Sequence, residues 1–138
     1  MRELTVDAII ENIEKVTDFV NEELEKLDCS PKAQIQIDVA IDELFGNIAH
    51  YAYNPNVGTA TIRMEVVQDP MAVVLTFIDH GIPYDPLAKE DPDIKLSAEE
   101  RKIGGLGIYM VKKSMDQVTY DYCNQKNVLR LEKSWHIA

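Results

Sequence analysis

The sequence predicts an α/β (α+β) two-layer sandwich, in which about three helices pack on one face of a mixed, mostly antiparallel sheet. Some stretches carry apolar residues at every third or fourth position, which is typical of amphipathic helices. Other, shorter stretches alternate apolar and polar residues, which is typical of half-buried strands. The chain has 138 residues, the size of one compact domain, and no linker divides it. We therefore predict a single domain over residues 1–138.

The N-terminal part of the chain predicts a short strand and two helices. Residues Arg2 to Val6 can form an edge strand, and apolar residues then recur at helical spacing from Asp7 to Leu27. Ser30 and Pro31 are suited to the N-cap and the first turn of a second helix. That helix is expected to continue to about Tyr51, where a turn-rich segment follows.

Four strands are predicted in the remaining chain, as two hairpins. Residues Thr59 to Gln68 alternate, and residues Met71 to Asp79 are rich in β-branched side chains. The second hairpin combines Val118 to Tyr122 with Val128 to Trp135, and residues 124–127 are expected to form its turn.

A glycine-rich loop precedes the third predicted helix, which covers about Leu106 to Met115. Gly104, Gly105 and Gly107 allow a ligand to approach the backbone, and a helix N-terminus presents free N–H groups and partial positive charge. This combination indicates a phosphate-binding loop, although a glycine-rich turn before a core helix fits the same residues. The polar stretch from Leu87 to Ile103 predicts a mobile lid, or an insert without a role.

Glu43 and Asn47 lie one helical turn apart in the second predicted helix, beside its apolar stripe. They therefore border the core, where a cleft could open. Asp38 and Asp42 are expected on the far side of the same helix, facing water. A solvated helix edge is the alternative interpretation of the Glu/Asn pair.

Asp79 ends the second strand of the first hairpin, and the flexible Gly81 follows two residues later. A carboxylate at the end of a strand can accept a hydrogen bond from a ring edge that carries a donor, such as the adenine amino group. A polar turn that only closes the strand is the alternative.

The formal charge of −10 argues against two classes of partner. Such an acidic surface repels nucleic acid and anionic membranes. The apolar runs are too short for a membrane span and no secretory signal opens the chain, so we expect neither direct nucleic-acid binding nor a membrane location. Cys29 and Cys123 lack metal-ligand spacing, and a cytoplasmic protein with reduced thiols is expected.

Three motifs occur in one order along the chain, and their combination resembles the GHKL ATPase superfamily, whose nucleotide-binding fold is the Bergerat fold. They are Glu43-x-x-x-Asn47, Asp79-x-Gly81 and Gly104-Gly105-x-Gly107. The chain is most similar within it to the bacterial anti-sigma-factor serine/threonine kinases. That closer resemblance rests on Asp42-Glu43-Leu44, Ala52-Tyr53, the segment 79–86 and Gly104-Gly105-Leu106-Gly107-Ile108.

The resemblance implies a role for each motif residue. Asn47 matches the asparagine that coordinates the Mg²⁺ bridging the ATP phosphates, and Glu43 matches the catalytic carboxylate. Asp79 matches the residue that recognises the adenine amino group, and Gly81 matches the glycine that lets the base approach. The lid and phosphate loop are matched by Gly104, Gly105, Leu106 and Gly107.

The resemblance also implies a function in transcription regulation. Such proteins are ATP-dependent serine/threonine kinases, which use ATP/ADP and Mg²⁺, sequester a sigma factor and phosphorylate a small anti-sigma antagonist. A homodimer and the order of strands in the sheet are further implications. The alternative is a nucleotide-dependent switch that binds a partner without transferring phosphate. A complete histidine kinase is disfavoured, because no phospho-acceptor helical hairpin precedes the ATP domain.

Overall fold

The computed structural model of the chain describes residues 1–88 and 105–136. The strands and α-helices are β1 (Arg2–Asp7), α1 (Ile13–Lys26), α2 (Pro31–Asn47), β2 (Thr59–Val67), β3 (Ala72–Asp79), α3 (Gly105–Ser114), β4 (Gln117–Cys123) and β5 (Lys126–Ser134). The strands stand in the order β1-β2-β3-β5-β4 within one sheet, and every neighbouring pair is antiparallel in these residues. The predicted two-layer fold class is therefore confirmed. The described pairing is antiparallel, whereas a partly mixed sheet was expected.

The helices cover one face of the sheet, as predicted, and the core lies between the two layers. Alternate residues of the central strands belong to this core, for example Ile62, Leu75 and Leu131, which are fully buried. Burying an aliphatic side chain of this size contributes about 1.5–3 kcal/mol. The other face carries charged side chains, including the exposed Arg63 and Arg130. One face of each strand is therefore fixed toward the helices, which also fixes the register.

The first helix begins later than its apolar periodicity suggests. The prediction placed its start at Asp7, but Asp7 is the last residue of β1 and pairs with Thr59 of β2. A short 3-10 turn (Ile10–Asn12) then leads into α1. Asn12 is buried and its side-chain amide donates to the Asp7 carbonyl at 2.8 Å, which fixes this connection. The predicted edge strand is confirmed and extends through Asp7.

The second helix starts as predicted, because the Ser30 hydroxyl accepts a hydrogen bond from the Ala33 N–H at 3.2 Å. The end of this helix differs from the prediction, because α2 ends at Asn47 and a single π-helical turn (Ile48–Ala52) follows it directly. Tyr53 follows this turn, and its hydroxyl donates a hydrogen bond to the Thr59 carbonyl at 2.6 Å. The same hydroxyl oxygen accepts a hydrogen bond from the His80 N–H at 2.8 Å. This hydroxyl therefore attaches the end of the helix to the ends of β2 and β3.

Asp38 does not face water, contrary to the prediction. It is half-buried, and its Oδ1 accepts from the Asn21 side-chain amide of α1 at 2.9 Å. Gln34 in turn donates to Asn21 Oδ1 at 2.9 Å, so a polar network joins α1 to α2. Burial raises the pKa of Asp38, the Asn21 hydrogen bond lowers it, and the neighbouring Asp42 carboxylate raises it further. Asp42 itself is exposed, as expected.

The turn between β4 and β5 is shorter than the predicted segment 124–127. It consists of Asn124 and Gln125, whose φ angles of 52° and 62° are both positive. Positive φ at both central residues is the geometry of two-residue hairpin turns that match the twist of the strands. Asn127 consequently belongs to β5, where it pairs directly with Asp79 of β3. The prediction that Asn127 lies in the turn is wrong.

The predicted lid lies largely outside the described residues. Its first residues belong to a short 3-10 turn (Pro86–Ala88), and Gly104 of the glycine-rich loop also falls outside the description. Among the helices of the described ranges, none combines the length and the apolar character that a membrane crossing requires.

Candidate nucleotide site

A cleft opens at the end of the sheet where α2 passes into the π-helical turn. Its polar wall is formed by Asn47, Asp79, Tyr84, Tyr120 and Asn127. Its apolar wall includes Leu44, Ile48, Ala52, Phe77, Ile82 and Leu129. An apolar cleft with a few convergent polar groups is typical of small-molecule sites.

Asp79 lies at the inner end of this cleft, as the last residue of β3. It continues the row of core-facing residues in that strand, so its side chain is only 5% exposed. Its Oδ1 accepts two hydrogen bonds, from the Gly81 N–H at 2.8 Å and from the Asn127 side-chain amide at 2.9 Å. Its Oδ2 has no hydrogen-bond partner within residues 1–88 and 105–136. This oxygen can therefore accept a hydrogen bond from a ligand.

Gly81 is placed against the end of the helix and directly precedes Ile82, which lines the cleft. A Cβ atom at this position would lie 2.2 Å from the Ala52 carbonyl oxygen, well inside van der Waals contact. The same carbonyl accepts the Ile82 N–H at 2.9 Å. The backbone after Asp79 thus packs directly on the π-helical turn, and only a residue without a side chain allows this approach.

Asn47 and Glu43 lie one turn apart on α2, and the structure places them differently. Asn47 is half-buried and lines the cleft. Glu43 is also half-buried, but its carboxylate contacts Gly107: a Cβ on Gly107 would lie 2.1 Å from Glu43 Oε2. Gly107 belongs to the first turn of α3, where the helix dipole favours negative charge. Glu43 therefore lies between the cleft and the start of α3.

Helix α3 lies where the third helix was predicted, and Gly104 before it is outside the described residues. The helix begins at Gly105, so Gly105, Leu106 and Gly107 form its first turn. That turn approaches α2 through the Gly107–Glu43 contact. The structure thus brings Glu43 and Gly107 together, while Asn47 and Asp79 line the cleft.

Asn127 is a site residue that the sequence did not reveal, since nothing in the chain marks it apart from other polar turn residues. Its Oδ1 accepts from the Tyr84 N–H at 3.2 Å and from the Tyr120 hydroxyl. The available signal was its strand register: a polar residue at a core-facing position directly opposite Asp79. Burial raises the pKa of Tyr120, a hydrogen bond from the Tyr84 backbone lowers it, and the nearby Asp85 and Asp79 carboxylates raise it. The net shift of this pKa is upward, so this phenol remains a donor at neutral pH.

The described part of the chain contains no cluster of protein side chains that could hold a metal ion by itself. There, no three His, Cys, Asp or Glu side chains are grouped closely enough to hold an ion. The side-chain oxygen of Asn47 is the kind of hard ligand that Mg²⁺ accepts beside phosphate oxygens and water.

Comparison with known proteins places most of the chain in one family model, described as a histidine kinase-like ATPase domain, which matches residues 6–133. The serine/threonine-protein kinase BtrW of Bordetella bronchiseptica is 26% identical over 102 residues, which are 74% of this chain and 71% of BtrW. The serine-protein kinase RsbW of Staphylococcus aureus is 29% identical over 85 residues, 59% of this chain and 54% of that protein. RsbW of Bacillus cereus is 31% identical over 84 residues, 58% of this chain and 51% of that protein. The matched region thus spans only about half of each RsbW protein.

Proposed function

The chain belongs to the histidine kinase-like ATPase domain family, and from this premise we propose that it is an ATP-dependent serine/threonine protein kinase that acts as an anti-sigma factor. In this proposal it transfers the γ-phosphate of ATP to a serine or threonine of a small antagonist protein. BtrW is named a serine/threonine-protein kinase and RsbW a serine-protein kinase, which supports phosphoryl transfer as the reaction.

The observation that carries the proposal is the carboxylate at the inner end of the cleft. Asp79 Oδ1 is occupied by two donors, while Oδ2 has no partner in the described residues. Asp79 is only 5% exposed, and polar groups at such positions are generally satisfied by a hydrogen-bond donor. An adenine amino group supplies the missing donor, and the apolar walls fit a planar base.

The phosphate end of the proposed nucleotide extends toward α2 and α3. Asn47 is the described residue that would hold Mg²⁺ through its side-chain oxygen, and the first turn of α3 offers backbone N–H groups to phosphate. When bound, Mg²⁺ neutralises the charge of the phosphate oxygens. Gly105, Leu106 and Gly107, with Gly104 before them, are proposed to form this phosphate loop.

Glu43 is the proposed catalytic base. Its position one turn before Asn47 lets it orient a serine hydroxyl beside the phosphates and accept its proton. The carboxylate contacts Gly107 in the first turn of α3, the turn that is proposed to bind the phosphates. A base of this kind contributes about 10²–10⁴-fold to the rate.

Replacing Glu43 with Gln tests this role. We expect Glu43→Gln to bind ATP as the wild type does and to lower phosphate transfer by about 10²–10⁴-fold, because the amide cannot accept the proton. The measurement follows label from γ-³²P-ATP to the antagonist protein, with Asp42→Asn, an exposed neighbouring carboxylate, as the matched control. Equal labelling by Glu43→Gln and the wild type would remove Glu43 from the mechanism.

A nucleotide-dependent switch without phosphate transfer is the second candidate. It is favoured by the position of Glu43, whose carboxylate contacts Gly107 and is not part of the cleft wall. The labelling experiment separates the two functions, since a switch would bind ATP and its partner but leave the antagonist unlabelled.

The proposed partners follow from the same assignment. They are a sigma factor, an antagonist protein that serves as substrate, and a second copy of this chain. We propose a cytoplasmic protein that regulates transcription through these contacts and does not bind nucleic acid directly, in keeping with its charge of −10.

A further inference from the structure

The side-chain amide of Asn127 connects Asp79 with the loop that follows β3. Asn127 is 7% exposed. Its Nδ2 donates to Asp79 Oδ1 at 2.9 Å and to the Ile82 carbonyl at 2.9 Å, with the Gly81 carbonyl at 3.4 Å. Both hydrogens of the amide are therefore used, and neither is available to a ligand.

The orientation of this amide is determined by its neighbours. The Tyr84 N–H can only donate, so it must face the oxygen of the Asn127 side chain. The carboxylate of Asp79 and the Ile82 carbonyl can only accept, so they must face the nitrogen. In the opposite orientation, the amide oxygen would face the Asp79 carboxylate and the Ile82 carbonyl, and the amide nitrogen would face the Tyr84 N–H.

This arrangement leaves Asp79 with a single oxygen for a ligand. Asp79 Oδ1 already accepts from Gly81 and Asn127, and only Oδ2 is available. The adenine edge requires one such acceptor, for its exocyclic amino group. Guanine presents two parallel donors, N1–H and the 2-amino group, which match both oxygens of a carboxylate. Its O6 also needs a donor, and the Asn127 amide has none left.

We propose that Asn127 is a positioning residue that makes this site selective for adenine over guanine nucleotides, by occupying Asp79 Oδ1. The inference rests on the proposed nucleotide-binding function and assigns the selectivity for its base to one residue. It predicts that removal of the amide leaves only the Gly81 N–H on Oδ1 and so frees one acceptor position for the second donor of guanine.

The test is calorimetric titration of the wild type, Asn127→Ala and Asn127→Leu with Mg-ATP and with Mg-GTP. Leu has the same branched arrangement of heavy atoms as Asn127, so it fills the space that Ala leaves empty and provides a second variant if that cavity unfolds the chain. Asn21→Ala is the matched control, because Asn21 also donates to a carboxylate at 2.9 Å, that of Asp38, between α1 and α2. We expect the wild type to prefer ATP, and the Asn127 variants to narrow the ratio of the two affinities by about tenfold or more. Asn21→Ala should keep the wild-type ratio.

The possible results separate the two proposals. If both affinities fall in parallel in the Asn127 variants, or if the wild type binds GTP as tightly as ATP, the selectivity role is refuted while nucleotide binding stands. If the wild type binds neither nucleotide, the proposed function fails and the selectivity role fails with it.

Discussion

Three glycines of this chain differ in what surrounds the missing side chain. A Cβ on Gly81 would meet backbone atoms of Ala52, which cannot move without displacing the π-helical turn. A Cβ on Gly107 would meet the end of the Glu43 side chain, which can rotate away. Gly46 lies within α2, and a Cβ there would meet nothing within 4 Å. The same substitution should therefore have three different effects.

Gly81→Ala should destabilise the fold by about 1–3 kcal/mol, because the added methyl group forces a backbone shift. Gly46→Ala is the matched control and should stabilise it by about 0.5–1 kcal/mol, because alanine has the higher helix propensity. Urea unfolding of both variants measures the difference. Equal shifts in the two variants would show that the contact between Gly81 and Ala52 is not the reason for glycine at that position.

At the scale of elements, the sequence predicted the strands well, because alternation over several residues reports one buried face. It also predicted the start of α2 from Ser30, whose capping hydrogen bond is local. It misplaced the start of α1 and the position of Asn127, because both depend on pairing between strands distant in sequence. Asp7 pairs with Thr59 and Asn127 with Asp79, and no local pattern contains this information.

The packing of α1 on α2 leads to a prediction for Asp38. Burial raises the pKa of Asp38 above its ordinary value of 3.8, so the folded state favours the protonated carboxyl. The stability that the protonated Asp38 contributes is fully present below pH 3.8, the ordinary pKa, and is lost as the pH rises through the raised pKa of the folded state. Asp38→Asn keeps an oxygen for Asn21 and carries no charge. It should therefore melt at a higher temperature than the wild type at pH 7.

The melting temperatures of Asp38→Asn and the wild type should converge below about pH 4, where both side chains are neutral. Asp42→Asn, at an exposed position of the same helix, is the control and should show little change at either pH. A wild type that is more stable than Asp38→Asn at pH 7 would mean that the Asn21 hydrogen bond to a charged carboxylate outweighs its burial.

At the scale of the whole molecule, the sheet brings together motifs from separate parts of the chain. β3 and β5 carry Asp79 and Asn127 to one end of the core-facing side, and α2 carries Asn47 to the same cleft. Of the residues in the three sequence motifs, Asn47 and Asp79 line this cleft, whereas Glu43 contacts Gly107. The motifs could not indicate how Asp79 is held, because its partner Asn127 is identified only by the strand register.

The central claim is that this cleft binds an adenine nucleotide through Asp79. Calorimetric titration with ATP and Mg²⁺ tests it most directly, on the wild type, Asp79→Asn and the exposed control Asp121→Asn. The account predicts saturable binding by the wild type and Asp121→Asn, and a loss of about 10- to 100-fold in affinity for Asp79→Asn, as expected when a charged hydrogen-bond acceptor is removed. Absence of binding in the wild type at millimolar ATP, or unchanged affinity in Asp79→Asn, would contradict it.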